Sequence, residues 1–438
     1  MNQSGPGKVA VLVAPSSVPS ALHLPQAASG ASRPEAVVPS GLLAALSLVP
    51  DPRNPRGVRF RLATLLAVGV CALTSAGHNS LTAIAEWVRR CDQDVLARLG
   101  CPFDPFTGRF KAPGERTLRD AFARVDPALL TAAGFTRLTT LQARPVTAIG
   151  PDGIVEREQR RAHRIAQHET DRPQPRRAAF AVDGKSLRGA VRADGSRVFV
   201  LSAVRHHDAL TAALREIGAK TNEITEFAPL LDTLDDQDLT GSVVTVDALH
   251  AQTSHARYLV EDRQAHYLLS VKNNQPTLAR QLTKLPWWQV PVLDQSRDRG
   301  HGREEAREVK VVSVNGLLFP HARQVVRIHR KRRRIGTSKW QTETVYAVTD
   351  LAAHQASPVE IAAWARGHWI IENTVHWTKD VTFAEDASQI RRHRTPAVMS
   401  ALRDLARATL HRSGWANIAS GRRARTHPAA TLTLHGIP

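Results

Sequence analysis

Three acidic residues have the types and the positions to hold divalent cations. Asp183 ends the apolar run Ala-Ala-Phe-Ala-Val-Asp, and Asp247 ends Ser-Val-Val-Thr-Val-Asp. Glu372 lies in Gly-His-Trp-Ile-Ile-Glu-Asn, inside a long helical pattern near the C-terminus. Hard cations such as Mg²⁺ take carboxylate oxygens and retain waters that a substrate can displace. Two such ions about 4 Å apart activate the attacking oxygen and stabilise the leaving one in phosphoryl transfer. Taken singly, an Asp at a strand end serves equally well to begin a turn or cap a helix. Two acids at strand ends and a third on a helix favour a metal-dependent site acting on a polyanion.

Charge supports that substrate class. The chain has 438 residues, with 59 Lys and Arg against 40 Asp and Glu, a formal charge of +19. Such an excess favours nucleic acid, whose neutralised phosphates release counterions. Only three cysteines occur (Cys71, Cys91, Cys101), without a Cys-x-x-Cys, so neither a disulfide framework nor a zinc ribbon is indicated. The apolar run Leu62 to Leu73 is too short to span a bilayer and reads as a buried helix. A cytoplasmic protein with no membrane partner is the expectation.

The elements that must position the acids follow from periodicity. Residues 1–41 are rich in Ala, Ser, Pro and Val and read as a disordered leader. Residues 42–142 have helical spacing and form a small helical domain, a candidate for DNA binding without an identifiable recognition helix. Residues 143–176 are a basic linker. From 177 to 412 the chain reads as α/β: strands at Ala178–Asp183, Arg197–Val204 and Leu210–Ile217, then a helix from Glu223. The β-branched run Ser242–Asp247 predicts a strand buried on both faces, and a helix leads to a last strand, His266–Val271. The β-α-β unit around Asp247 implies parallel pairing with a right-handed crossover. A β-rich insertion spans 276–348, and Ser357-Pro-Val-Glu360 then opens the helix bearing Glu372 with a capping box and a first-turn proline. Residues 413–438 are a basic tail.

Basic residues near these elements are candidate DNA contacts. Gly184-Lys185-Ser186 is not a phosphate-binding loop, because the required glycine five positions earlier is Ala179. Lys185 and Arg188 are read as phosphate contacts beside the acids or as solvated turn residues. Glu372, His376 and Lys379 fall at i, i+4 and i+7 on one helix face, so His376 and Lys379 can meet DNA phosphates. Arg330, Lys331, Arg332 and Arg333 belong to a basic run between two expected strands, where a hairpin tip can track a DNA backbone.

At these residues the chain resembles the DDE transposases of bacterial insertion sequences, specifically the H-repeat-associated group. The resemblance runs from about Leu43 to Arg425. It is carried by Val182-Asp-Gly-Lys-Ser-Leu-Arg-Gly189, Lys220-Thr-Asn-Glu223, Val246-Asp-Ala-Leu-His-Ala-Gln252 and Lys272-Asn-Asn-Gln275. The most specific string is Arg366-Gly-His-Trp-Ile-Ile-Glu-Asn-Thr-Val-His-Trp-Thr-Lys-Asp-Val-Thr-Phe-Ala-Glu-Asp386. It implies an RNase H-like mixed sheet with flanking helices, interrupted by the β-rich insertion. It also implies Asp183, Asp247 and Glu372 as catalytic and metal-binding acids, with two Mg²⁺ or Mn²⁺ ions per site. Lys272 joins the DNA-contact candidates on the same ground. The implied activity is cleavage of double-stranded DNA at element ends, then strand transfer to target DNA by a homo-oligomer. A related Tyr-Arg-Glu-Lys signature departs here at Ala365 and His368 but keeps Lys379. A catalytically inactive DNA-binding relic and a plain metal-dependent nuclease are the alternative readings.

Overall fold

The computed structural model describes residues 10–12, 41–141, 175–218, 221–300 and 302–438. Most of the expected leader, and the expected linker as far as residue 174, lie outside the described residues. From residue 41 the chain is helical. Helix α1, Leu62–Thr74, is buried along almost its whole length, as its apolar sequence requires. Helix α2, Pro127–Thr140, starts at Asp126, whose carboxylate accepts from the N–H groups of Ala128 and Leu129, with proline at the first position, where no donor is lost.

Five strands carry the two aspartates: β1 (Ala179–Val191), β2 (Arg197–Arg205), β3 (Thr211–Ile217), β4 (Val243–Val246) and β5 (His266–Val271). Their order across the sheet is β5-β4-β1-β2-β3. β1, β2 and β3 are antiparallel neighbours, while β4 pairs in parallel with both β1 and β5. Every residue of the Val-Val-Thr-Val strand β4 is buried, as expected of a central parallel strand covered on both faces. Helix α3, Glu223–Leu231, joins β3 to β4 and starts at a capping box between Asn222 and Thr225.

Residues 271–358 fold as a separate compact unit that includes the strand Ala10–Leu12. Helix Pro276–Thr283 leads into four antiparallel strands: β6 (Asp294–Gly300), β7 (Arg303–Asn315), β8 (Gln324–Arg334) and β9 (Gln341–Thr349). β7 lies between β6 and β8, and β9 pairs with β8. The strand Ala10–Leu12, inside the expected leader, pairs with the end of β7.

The chain then returns to the sheet's own unit. Helix α4, Pro358–Gly367, precedes a π-helical turn over Ile371–His376 and a short helix, Trp377–Val381. The long helix α5, Thr395–Arg412, packs against α1 and α2. Gly134 permits the α2 contact, since a Cβ there would come 2.1 Å from Leu405 Cδ2. Residues 413–438, expected as a tail, contain two helices, Ile418–Arg423 and Pro428–Leu434. Arg422 fastens the first of them by donating to the carbonyls of Leu73, Ser75 and Thr382. The helices before and after the sheet therefore share one core.

Candidate active site

Sheet register brings the two aspartates together. Val182 is paired with Val246 across the parallel β1–β4 ladder, so Asp183 and Asp247 are the next residue on each strand. Neighbouring strands are about 4.8 Å apart, which leaves the two carboxylates within reach of a shared ligand. One expectation is corrected: β1 does not end at Asp183 but continues to Val191, pairing Asp183 with Ser202 of β2. What ends there is the parallel ladder, because β4 stops at Val246 while β1 continues along β2. Asp247 does cap a following turn, as one oxygen accepts from Leu249 N–H at 3.0 Å. A cap and a ligand role are compatible, because the carboxylate has a second oxygen.

Glu372 is positioned by its neighbours on the helix. Ile371 and Val375 are buried against Ala181 and Val204 of the sheet, with Ile370 packed beside them, and each such burial stabilises by about 1.5–3 kcal/mol. Glu372 itself is exposed. The π-helical turn inserts extra backbone where an α-helix was expected, and such bulges are frequent at functional sites. It upsets the expected common face. Lys379 points into the core, fully buried, with its ammonium on Ser400 Oγ (3.0 Å) and Asp404 Oδ2 (3.1 Å). It is not available to DNA in this fold.

His376 is corrected likewise. It is buried, with Nδ1 3.6 Å from Asp183 Oδ2. Burial, reinforced by Lys379, Lys185 and Arg407, holds its pKa well below the ordinary imidazole value. It is a neutral neighbour of the first acid and cannot supply positive charge to a phosphate. His368 is also held neutral by burial, and its ring bonds Thr245 Oγ1, just before Asp247 in the chain, at 3.2 Å.

The other expected cations divide by exposure. Lys185 is buried, and its ammonium lies 2.6 Å from Asp380 and 3.3 Å from Asp386. It shares a strand with Asp183, so neither a turn nor a solvent-facing phosphate contact describes it. Arg188, on the same strand, is largely exposed and 3.4 Å from Asp386. In the β-rich unit Lys272 is exposed. The basic run is part of β8 rather than a hairpin tip, because the strand continues to Arg334. Arg330 holds Glu305 through two hydrogen bonds, and Arg333 holds Glu304. Lys331 and Arg332 come from the same run.

One acid near the site was missed. Glu223, the first residue of α3, sets its carboxylate against Gly184: a Cβ there would lie 2.4 Å from Glu223 Oε1. Sequence offered one signal, an acid at the helix start after the third strand, closing the string Lys-Thr-Asn-Glu. Its influence appears at Asp183. Burial, then the like charges of Asp247, Glu223 and, most weakly, Glu372 push the Asp183 pKa up to about 7, against a smaller opposing hydrogen bond from Gly184 N–H. Among the described residues, no lysine or arginine is ion-paired with any of these four carboxylates. In so basic a chain, that concentration of uncompensated negative charge suits a divalent cation. The donors are all oxygen, fitting Mg²⁺ or Mn²⁺ rather than a thiolate-seeking metal. Among the described residues, no three or more His, Cys, Asp or Glu side chains are grouped so as to hold a metal ion, and mutual repulsion between like carboxylates opposes such grouping.

A family model described as "Transposase DDE domain" matches residues 174–403, and one described as "DDE_Tnp_1-associated" matches residues 43–136. The chain is 25% identical over 396 residues to "Putative transposase YncI" of Escherichia coli O157:H7, covering 83% of this chain and 86% of that one. It is 28% identical over 242 residues to "H repeat-associated putative transposase YhhI" of Escherichia coli K12, covering 52% of this chain and 62% of that one. "Putative protein YbfL" of the same strain is 29% identical over 242 residues, with the same coverage. The sheet order and flanking helices are those of the RNase H-like fold implied by the first model.

Proposed function

Since the chain belongs to the DDE transposase family, we propose that it cleaves DNA at the ends of its own insertion sequence and joins them to target DNA, with Asp183, Asp247 and Glu372 as the acids. The observation that carries this reading is the β1–β4 register, with Val182 opposite Val246 and an aspartate next on each strand. A pair of Mg²⁺ or Mn²⁺ ions held by these acids would lower the pKa of the attacking water and neutralise charge on the reacting phosphate.

The protein's own residues orient that chemistry. β1 carries Asp183 and the end of β4 presents Asp247, while the packing of Ile371 and Val375 fixes the helix from which Glu372 projects. Neutral His376 crowds Asp183 without offering a competing cation. In the first step a water oxygen bonds to phosphorus, the bond to the 3′-oxygen breaks, and a 3′-hydroxyl is left. In the second, that hydroxyl attacks a target phosphodiester and displaces its 3′-oxygen.

DNA has candidate surfaces on both units. In the helical region Arg53, Arg56, Arg59, Lys111, Arg116 and Arg124 line one open cavity. On the β-rich unit Arg332, Arg333, Arg334 and Lys339 border another. Such clusters track phosphates without reading bases. A homo-oligomer on DNA is part of the same proposal. Among the described residues no helix is long and apolar enough to cross a membrane. The test uses duplexes ending in the inverted repeats that flank the gene. Nicks leaving 3′-hydroxyls, followed by covalent joining to a second duplex and dependent on Mg²⁺, are expected. Cleavage that is equal on unrelated duplexes, without joining, would instead identify a plain nuclease.

A further inference from the structure

Glu223 lies outside the acid triad, yet its carboxylate fills the space beside Gly184 that any other side chain would occupy. A Cβ at residue 184 would be 2.4 Å from both Cδ and Oε1 of Glu223. Because residue 184 directly follows Asp183, that glycine lets the carboxylate rest on the backbone next to the first acid. Glu223 is half-buried.

A second observation points to a ligand at this place. His250 lies three residues after Asp247, is 1% exposed, and has no hydrogen-bond partner at either ring nitrogen. Buried polar groups are nearly always paired. Its Nε2 is aimed at Glu223 Oε2 from 3.7 Å, beyond hydrogen-bond reach. Phe227 and His255 flank the ring, with centroids at 5.3 and 5.4 Å. An imidazole wedged in this way waits for an acceptor to be brought to it, and a cation that fixes the carboxylate or carries a water would do so.

We propose that Glu223 is a fourth metal-ligating carboxylate, binding a divalent cation together with Asp183. This rests on the reading of the triad as a divalent-cation site. Gly184 is then required for close approach rather than for backbone conformation, and substituting it would displace a ligand without touching a charge.

The test is Mn²⁺ binding by the full-length, DNA-free protein, with bound ions counted by electron paramagnetic resonance and structure followed by circular dichroism. Wild type is compared with Asp247→Asn, Glu223→Gln and Gly184→Ala. Glu223→Gln and Gly184→Ala are each expected to weaken Mn²⁺ binding by about tenfold or more while keeping the wild-type dichroism spectrum. Wild-type affinity in folded Glu223→Gln, with binding lost in Asp247→Asn, would overturn this inference alone. A wild-type protein that binds no Mn²⁺ would overturn it together with the reading beneath it.

Discussion

Replacing Asp183 by asparagine should destroy cleavage yet make the metal-free protein more stable. The Asp183 pKa rises from an ordinary 3.8 to about 7, chiefly through burial and then through Asp247 and Glu223. The folded chain thus binds this proton more tightly than the unfolded chain does. The resulting stabilisation is complete below pH 3.8 and is lost as pH rises through about 7. Three decades of proton affinity are worth about 4 kcal/mol. Asp183 is only half-buried, so solvent screens part of this, and a gain of about 1–3 kcal/mol at about pH 8 is expected for Asp183→Asn. At about pH 5 wild type is protonated in the fold, and the gain should fall to less than half. Asparagine keeps the shape and can still accept from Gly184 N–H. The assay is urea unfolding followed by far-ultraviolet circular dichroism at both pH values, with and without Mg²⁺. Added Mg²⁺ should stabilise wild type and leave the variant nearly unchanged. A variant less stable than wild type at the higher pH, or equally stabilised at both, would refute the electrostatic account of this site.

Other consequences concern residues whose roles the fold reassigns. Lys379→Ala should cost about 1–3 kcal/mol, because it takes one buried cation from Asp404 and Glu385, which then keep only Arg407 and Arg403; DNA affinity per folded molecule should stay at the wild-type value in a filter-binding assay. Arg422→Ala should cost about 2–3 kcal/mol in chemical denaturation, through buried carbonyls left without their charged donor. DNA binding should fall steeply with salt, and Lys331→Glu with Arg332→Glu should lower the log–log slope by roughly 2 without shifting the unfolding midpoint. The change is assigned to these two because Arg330 and Arg333 are already committed to Glu305 and Glu304.

The strand before Asp247 was legible in sequence because strands announce themselves by composition: its β-branched run has few other foldings. The strand order and the interrupting β-rich unit could be read in the same way. Side-chain direction on the Glu372 helix could not. Spacing in an α-helix puts Glu372, His376 and Lys379 on one face, but the π-helical turn at Ile371–His376 alters the phase, sending Lys379 inward and leaving Glu372 outside. Lys185 misled for a related reason: a lysine two residues after an aspartate resembles a turn until tertiary partners, here Asp380 and Asp386, draw it inward. The place of Glu223 beside Asp183 was invisible in sequence because it is made through a glycine's missing side chain, a contact that arises only in three dimensions. The helices of residues 413–438 were hidden by their basic composition, although Arg422 uses its charge to bind carbonyls of the core.

The central claim is that Asp183, Asp247 and Glu372 act together in cutting DNA. The most direct measurement is Mg²⁺-dependent cleavage of a duplex carrying the element's end, by wild type and by Asp183→Asn, Asp247→Asn and Glu372→Gln, with DNA binding measured on the same preparations. Each substitution is predicted to abolish cleavage while the protein still binds the duplex with wild-type affinity. Undiminished cleavage by any one of the three would contradict the claim and remove that residue from the site.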